Sequence, residues 1–296
     1  MNRIWSTQEK RRALITGASS GIGEAFARLL AEEHWDLVLI ARREEELYRI
    51  KGVLQAEHPI TVHVLPADLS RKDAPDHILH ALEERGFVPD VLINNAGFGR
   101  AGPAHVLNAD EQLAIVDVNV RAATALALKL LPRMVERGMG GIINVASLAG
   151  FMPGPGMAVY FATKAYLLSF SEALHEEMRD HGITITALCP GPVRTGFQAA
   201  SGMDRLWLTK VLPMAKAEQI ARAGWQGFKE GRAIVIPGLF HAFTVQMGRI
   251  SPRVLTRRIV KRLLLPRRRL KLLKERKERK EIPDQERDSN TGESGR

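Results

Sequence analysis

Thr16-Gly17-Ala18-Ser19-Ser20-Gly21-Ile22-Gly23 joins a short apolar run at residues 12–16 to a helical pattern at residues 23–34. A glycine-rich turn that follows a strand and opens a helix is suited to holding a phosphate. Its glycines let a pyrophosphate approach the backbone, and the helix N-terminus offers free N–H groups and positive potential. Gly17, Ser19, Ser20, Gly21, Ile22 and Gly23 are therefore candidate cofactor-binding residues. A glycine-rich turn also occurs as a plain turn, so the rest of the chain has to decide between the two readings.

Outward from this turn, apolar runs of strand length alternate with helical patterns. Strands are predicted at 12–16, 36–41, 61–66, 91–94, 141–146, 184–188 and 233–236, and helices at 23–34, 44–57, 109–137 and 160–180. Short, continuously apolar strands imply burial on both faces. Their alternation with helices predicts an α/β fold: a Rossmann-type, doubly wound, seven-stranded, mainly parallel sheet flanked by helices. Residues 9–248 are expected to form this domain, 249–281 a basic amphipathic extension and 282–296 a disordered end.

A protein that binds NAD places an acid at the end of the second strand, where it holds the ribose 2′-hydroxyl. Here that slot reads Ala41-Arg42-Arg43. Guanidiniums bind a 2′-phosphate through charge-assisted hydrogen bonds, so the slot favours NADP(H). Arg42 is preferred for this role, with Arg43 read as the solvated start of the next helix. Asp68-Leu69 follows the third strand, where the carboxylate is placed either to accept from an adenine amino group or to cap a helix over 71–84. Asn95, Ala96 and Gly97 end the fourth strand, beside the expected cofactor ribose.

Tyr160 and Lys164 stand four apart on a predicted helix and share a face. An ammonium near a phenol favours the phenolate, which predicts a lowered pKa and a proton to exchange with a carbonyl or alcohol oxygen. The pair alone is common on protein surfaces. Ser147 gives it weight, because it lies just past the fifth strand, at the edge where open α/β sheets bind ligands. Asn119 lies within a helical pattern that an amide does not favour. It is either a kink residue or a buried amide that holds a water linked to Lys164.

These motifs, in this order, resemble the compact, roughly 250-residue branch of the short-chain dehydrogenase/reductase family. The resemblance runs from about Arg12 to Gly238 and includes the Gly17–Gly23 turn, Asp68, Asn94-Asn95-Ala96-Gly97, Asn119, Ser147, Tyr160/Lys164 and Pro190-Gly191. It implies hydride transfer between NADP(H) and a small-molecule carbonyl or alcohol. Tyr160 would be the acid/base, Lys164 would hold the nicotinamide ribose, Ser147 would orient the substrate and Asn119 would hold a relay water. Pro190, Gly191, Val193 and Thr195 would lie along the nicotinamide. It further implies a homodimer or homotetramer built from the helices that carry Asn119 and Tyr160.

Composition bounds the rest. Of 296 residues 45% are hydrophobic, enough for an aliphatic core, and Cys189 is the one cysteine, which fits a reducing compartment. The polar start lacks a signal-peptide h-region and no run is long enough to span a bilayer, so a cytoplasmic protein is expected. The nine histidines show no ligand spacing, so no metal is expected. The net charge of +10 is localised: residues 1–248 carry 26 charges of each sign, whereas 249–281 carry 15 Lys/Arg against 3 Asp/Glu. In that extension Leu255, Ile259 and Leu263 recur at helical spacing among arginines and lysines, which suits peripheral contact with an anionic membrane. A partner protein or simple packing on the domain remain open, and nucleic acid is disfavoured for want of aromatic residues after Phe243. A non-catalytic, NADP-binding scaffold acting through this tail is the competing reading. Gly196 to Pro213, with Met203, Leu206, Trp207 and Leu208, reads as a lid and points to an apolar substrate.

Overall fold

The computed structural model describes residues 10–194, 196, 201–202 and 214–265. Seven strands are present: β1 (Arg12–Thr16), β2 (Asp36–Ala41), β3 (Val62–Pro66), β4 (Val91–Asn94), β5 (Gly140–Val145), β6 (Ile183–Leu188) and β7 (Ile234–Val235). They form one sheet in the order β3-β2-β1-β4-β5-β6-β7. Every neighbouring pair is parallel, so the sheet is wholly parallel. The order reverses between β1 and β4. In such sheets the ligand crevice opens there, beyond the carboxyl ends of the strands.

Successive strand residues point to opposite faces, and each face is covered. Ala13, Ile15, Leu37 and Leu39 pack against α1 (Gly21–Glu32), α2 (Glu44–Glu57) and α7 (Ala217–Lys229). Leu14, Val38 and Ile40 face α3 (Ala74–Glu84), α5 (Ala123–Arg137) and α6 (Ala158–Met178). On the first face Trp225 meets Trp35 edge-on at 5.3 Å, stacks on Phe228 at 5.2 Å and donates to Glu33 at 2.9 Å.

Two expectations change in detail. The pattern at 109–137 is one rod with a fault in it. α4 (Ala109–Val116) passes into a π-helical turn, Asp117–Ala122, before α5 resumes. The extension read as amphipathic is helical, and it starts inside a helix. α8 (Leu239–Ile250) runs through the expected boundary at 248, and α9 (Arg253–Leu264) follows after Ser251 and Pro252. The ridge read from the sequence, Leu255-Ile259-Leu263, leaves Leu255 and Ile259 exposed. Val260 and Leu264, turned by about 100° around the helix, pack against Met152 and Phe161 instead. Leucines and valine make two adjacent ridges on this helix, and the domain takes the second.

Thr195, the expected lid residues Met203, Leu206, Trp207 and Leu208, and all of 266–296 lie outside the described residues. The flanks of the lid segment are joined: Arg194 N–H donates to Ala215 O at 2.9 Å, and Ala215 N–H to Pro192 O at 3.1 Å.

Candidate active site

The glycine turn has no room for side chains at two of its glycines. A Cβ on Gly23 would sit 2.3 Å from Gly17 O, and one on Gly17 2.7 Å from Asn95 Nδ2. Gly17 also has φ +64°, which only glycine adopts without strain. Asn95 braces the turn: its side-chain amide donates to Thr16 O at 2.9 Å and Gly17 O at 3.2 Å. The N–H groups of Asn95 and Ala96 both donate to Thr16 Oγ1 at 3.0 Å. Ser20, at the N-cap of α1, is extended and makes no side-chain cap, so the first-turn N–H groups are not consumed by it. Ser19 is buried, and Ile22 packs against the core.

The guanidinium over this turn is that of Arg43. It donates to Ser19 O at 3.1 Å, Ser19 Oγ at 3.0 Å and Ser20 Oγ at 2.8 Å. Arg42, the residue preferred from the sequence, is exposed and acts instead on Asp68. Asp68 accepts from Ser70 N at 3.0 Å and Ser70 Oγ at 2.8 Å, closing a tight turn. It does not cap α3, whose N-cap is Asp73. Burial raises the Asp68 pKa, but the Ser70 hydrogen bonds and the charges of Arg42 and Arg71 outweigh it, leaving a carboxylate below the ordinary range. Leu69 is buried in the core.

The chemical residues meet at the carboxyl edge of β4, β5 and β6. Asn119 lies in the π turn and is buried; Nδ2 donates to Phe98 O and Thr163 Oγ1, each at 3.0 Å, and Oδ1 accepts from Phe98 N at 3.0 Å. The extra residue of a π turn re-aims the side chains it carries. A Cβ on Gly97 would lie 3.1 Å from Asn119 Oδ1 and 3.4 Å from Lys164 Nζ, so these two groups converge on one spot beside Gly97. Lys164 donates to Val145 O at 2.7 Å. Burial lowers its pKa to about 8, against a small opposing effect of Cys189.

Tyr160 stands on the same face of α6, its ring centroid 5.9 Å from Lys164 Nζ. The residue keeps a partly exposed edge, yet desolvation pushes its phenol up to about 12, opposed by a hydrogen bond with Ser147. The expected lowering by Lys164 is therefore not found. The ammonium points to the Val145 carbonyl, and burial dominates the phenol. Ser147 Oγ also accepts from Ala149 N at 3.1 Å and lies 3.5 Å from Pro190 O. Val193 is buried at the base of the 194–214 segment. Behind the site a buried chain crosses the sheet. Asn94 Nδ2 donates to Ala123 O at 2.9 Å and Asn144 Oδ1 at 3.0 Å, Asn144 Nδ2 to Ser171 Oγ at 2.9 Å, and Ser171 to Leu167 O. It locks α5 and α6 to β4 and β5.

Two residues escaped the sequence reading. His241, on α8, fills the space above Gly191, where a Cβ would lie 2.6 Å from Nε2. Its Nδ1 lies 3.0 Å from Pro237 O, while Nε2 is buried with no hydrogen-bond partner among the described residues. One histidine among nine carries no sequence signal; only the fold brings α8 back over the site. Arg194 lines a crevice with Gly21, Glu24, Arg28 and Glu218 at the N-terminus of α1. Among the described residues no three His, Cys, Asp or Glu side chains form a group able to hold a metal ion.

With this geometry in place, comparison with known proteins gives a consistent answer. The family model for short chain dehydrogenases matches residues 11–205. An uncharacterized oxidoreductase of Staphylococcus aureus (strain USA300) is 34% identical over 188 residues, covering 64% of this chain and 80% of that protein. A short-chain dehydrogenase from Sphingobium yanoikuyae, solved in complex with NADPH, superposes with a TM-score of 0.73 at 33% identity, covering 81% of this chain and 93% of the other. The bulky-bulky ketone specific alcohol dehydrogenase from Comamonas testosteroni superposes with a TM-score of 0.69 at 31% identity, covering 81% and 92%.

Proposed function

The chain belongs to the short-chain dehydrogenase/reductase family of oxidoreductases, and from that premise we propose that it reduces a ketone or aldehyde with NADPH, or runs the reverse oxidation. The observation that carries this reading is the Tyr160 phenol, held by Ser147, one turn of α6 from Lys164, whose Nζ converges with Asn119 on Gly97. A dinucleotide fits the opposite half of the crevice. The Gly17–Gly23 turn is stripped of Cβ atoms where backbone must close up, and the first turn of α1 opens onto it. Arg43 lies where a 2′-phosphate is discriminated, with Arg42 beside it, and Asp68 and Leu69 border the adenine side. Asn95, Ala96, Gly97, Pro190, Gly191 and Val193 line the ribose and nicotinamide side.

When bound, the nicotinamide supplies the hydride. Ser147 and Tyr160 hydrogen-bond the carbonyl oxygen, which gains negative charge as its carbon is reduced. Tyr160 gives its proton to that oxygen, completing the alcohol. A phenol with a pKa near 12 is a weak acid, so the proton moves only as the alkoxide forms. Lys164 keeps its ammonium on the Val145 carbonyl, and we assign to the spot it shares with Asn119 the route by which the proton is replaced. Hydride plus proton add across one C=O, so the reaction balances.

The expected substrate is apolar and bulky: a hydrophobic ketone, a sterol or an acyl chain. Phe161 meets the Tyr160 ring edge-on at 6.1 Å and belongs to an apolar cluster with Met152, Val260 and Leu264, and the Comamonas relative is named for bulky ketones. A carbonyl panel monitored by NADPH oxidation tests the reading. Tyr160→Phe is expected to lower kcat/KM by about 10²–10⁴-fold. Full activity in that variant overturns the mechanism.

A further inference from the structure

The outer faces of α8 and α9 play no part in the reaction. Leu239, Phe240, Phe243 and Met247 recur at spacings that place them on one side of α8, and they are far from packed: Leu239 is 92% exposed, Phe240 and Phe243 64%. Val245, on the opposite side, is buried. On α9, Val260 and Leu264 face the domain while Leu255 and Ile259 face solvent. Arg258 and Arg262 flank that outer ridge, with Arg257 and Lys261 further around. Residues 239–265 contain six basic and no acidic side chains. Among the described residues none of Arg253, Arg257, Arg258, Lys261 or Arg262 has an ion pair, although acids pair with arginines and lysines across the rest of the surface.

We propose that α8 and α9 dock the protein on an anionic lipid bilayer, with Leu239, Phe240 and Phe243 entering the interface and the α9 cations meeting lipid phosphates. Apolar side chains beside unpaired cations match the boundary between acyl chains and anionic headgroups. Other occupants fit less well. A second copy of this face would set cations against cations in a two-fold contact. The chain beyond 265 has the same sign, with nine basic and three acidic residues over 266–281, so it does not neutralise α9. Nucleic acid would satisfy the charges and leave the phenylalanines uncovered. Docking lays the helix that borders the Tyr160 site against lipid. That suits a substrate dissolved in the bilayer, a corollary that rests on the reductase reading, whereas the docking itself does not.

Flotation of the full chain with vesicles tests it without turnover. Co-flotation is expected with phosphatidylcholine vesicles that contain phosphatidylglycerol, and not with phosphatidylcholine alone. Raised salt should weaken it. Leu239→Glu/Phe243→Glu and Arg258→Glu/Arg262→Glu alter exposed residues and should each weaken partitioning at least about tenfold, with melting temperature and NADPH binding unchanged. No flotation of the wild type, or flotation of both variants equal to wild type, overturns the proposal. So does a variant that changes the mass measured by light scattering, or loses binding to duplex DNA, while vesicle binding is absent. Flotation with no carbonyl reduction by the wild type would instead count against the reductase reading alone.

Discussion

Lys164 and Tyr160 are displaced from their ordinary protonation behaviour in opposite directions, and both displacements link to stability. Lys164 titrates near pH 8 when folded, against 10.5 ordinarily. Between those values the unfolded chain holds a proton that the folded chain lacks, so this group makes stability rise with pH across that window. Tyr160 moves the other way, from 10.0 to about 12. Its contribution is complete below pH 10 and is lost as pH rises toward 12. Urea midpoints should therefore climb from about pH 8 to about pH 10 in the wild type and climb less in Lys164→Met. An identical slope in the two proteins would show that Lys164 is not held in this state. That Tyr160 and Lys164 stand side by side was legible from spacing, because residues four apart on a helix share a face. Their protonation was not, because it depends on the Val145 carbonyl and on burial, which only the assembled sheet defines. The turn after β2 shows the same limit. Two adjacent arginines leave opposite sides of the strand end, and no sequence pattern says which one folds back over the Ser19-Ser20 turn. Arg43→Ala is expected to raise KM for NADPH by about tenfold or more, since a charge-assisted hydrogen bond is worth roughly 1.5–3 kcal/mol. KM for NADH should change little, and Arg42→Ala should have the smaller effect on NADPH. Steady-state kinetics with both cofactors decide the order.

At the scale of elements, the strands and the glycine turn were read within one or two residues because burial on both sheet faces demands unbroken apolar runs. The break at Asp117–Ala122 was visible only as an awkward amide at Asn119. A π turn needs one more residue per turn, and nothing in composition marks it. The amide makes three hydrogen bonds across α6 and the loop after β4, so it staples the fault in place. Asn119→Leu strands the Phe98 N–H and C=O groups, and should lower stability by about 2–4 kcal/mol with loss of activity. Chemical denaturation of that variant beside Tyr160→Phe separates the two effects, because the latter should retain wild-type stability. The helix α9 taught a different lesson. Its amphipathicity was plain, but two ridges competed for the domain, and Met152 and Phe161 chose the one at Val260 and Leu264.

The whole molecule divides by charge more sharply than by fold. The sheet and its helices are electrically balanced, and the excess positive charge sits after residue 248. That partition was legible by counting; what it contacts was not. A second surface lies elsewhere: Leu113, Val116, Leu128 and Tyr166 are exposed on α4, α5 and α6, the helices expected to join subunits. A homodimer through these faces predicts that Leu113→Arg/Leu128→Arg lowers the mass measured by light scattering to that of one chain. An unchanged mass would exclude these helices as the contact.

The bridge between Val193 and Ala215 has a consequence of another kind. It brings the two ends of the 194–214 stretch together, between the end of β6 and the start of α7, without reference to what lies between. Closing a loop costs little more as it lengthens. Such an arrangement is a cassette: a longer, shorter or chemically different stretch can stand between Val193 and Ala215 at little cost in chain entropy, with the rest of the fold unaltered.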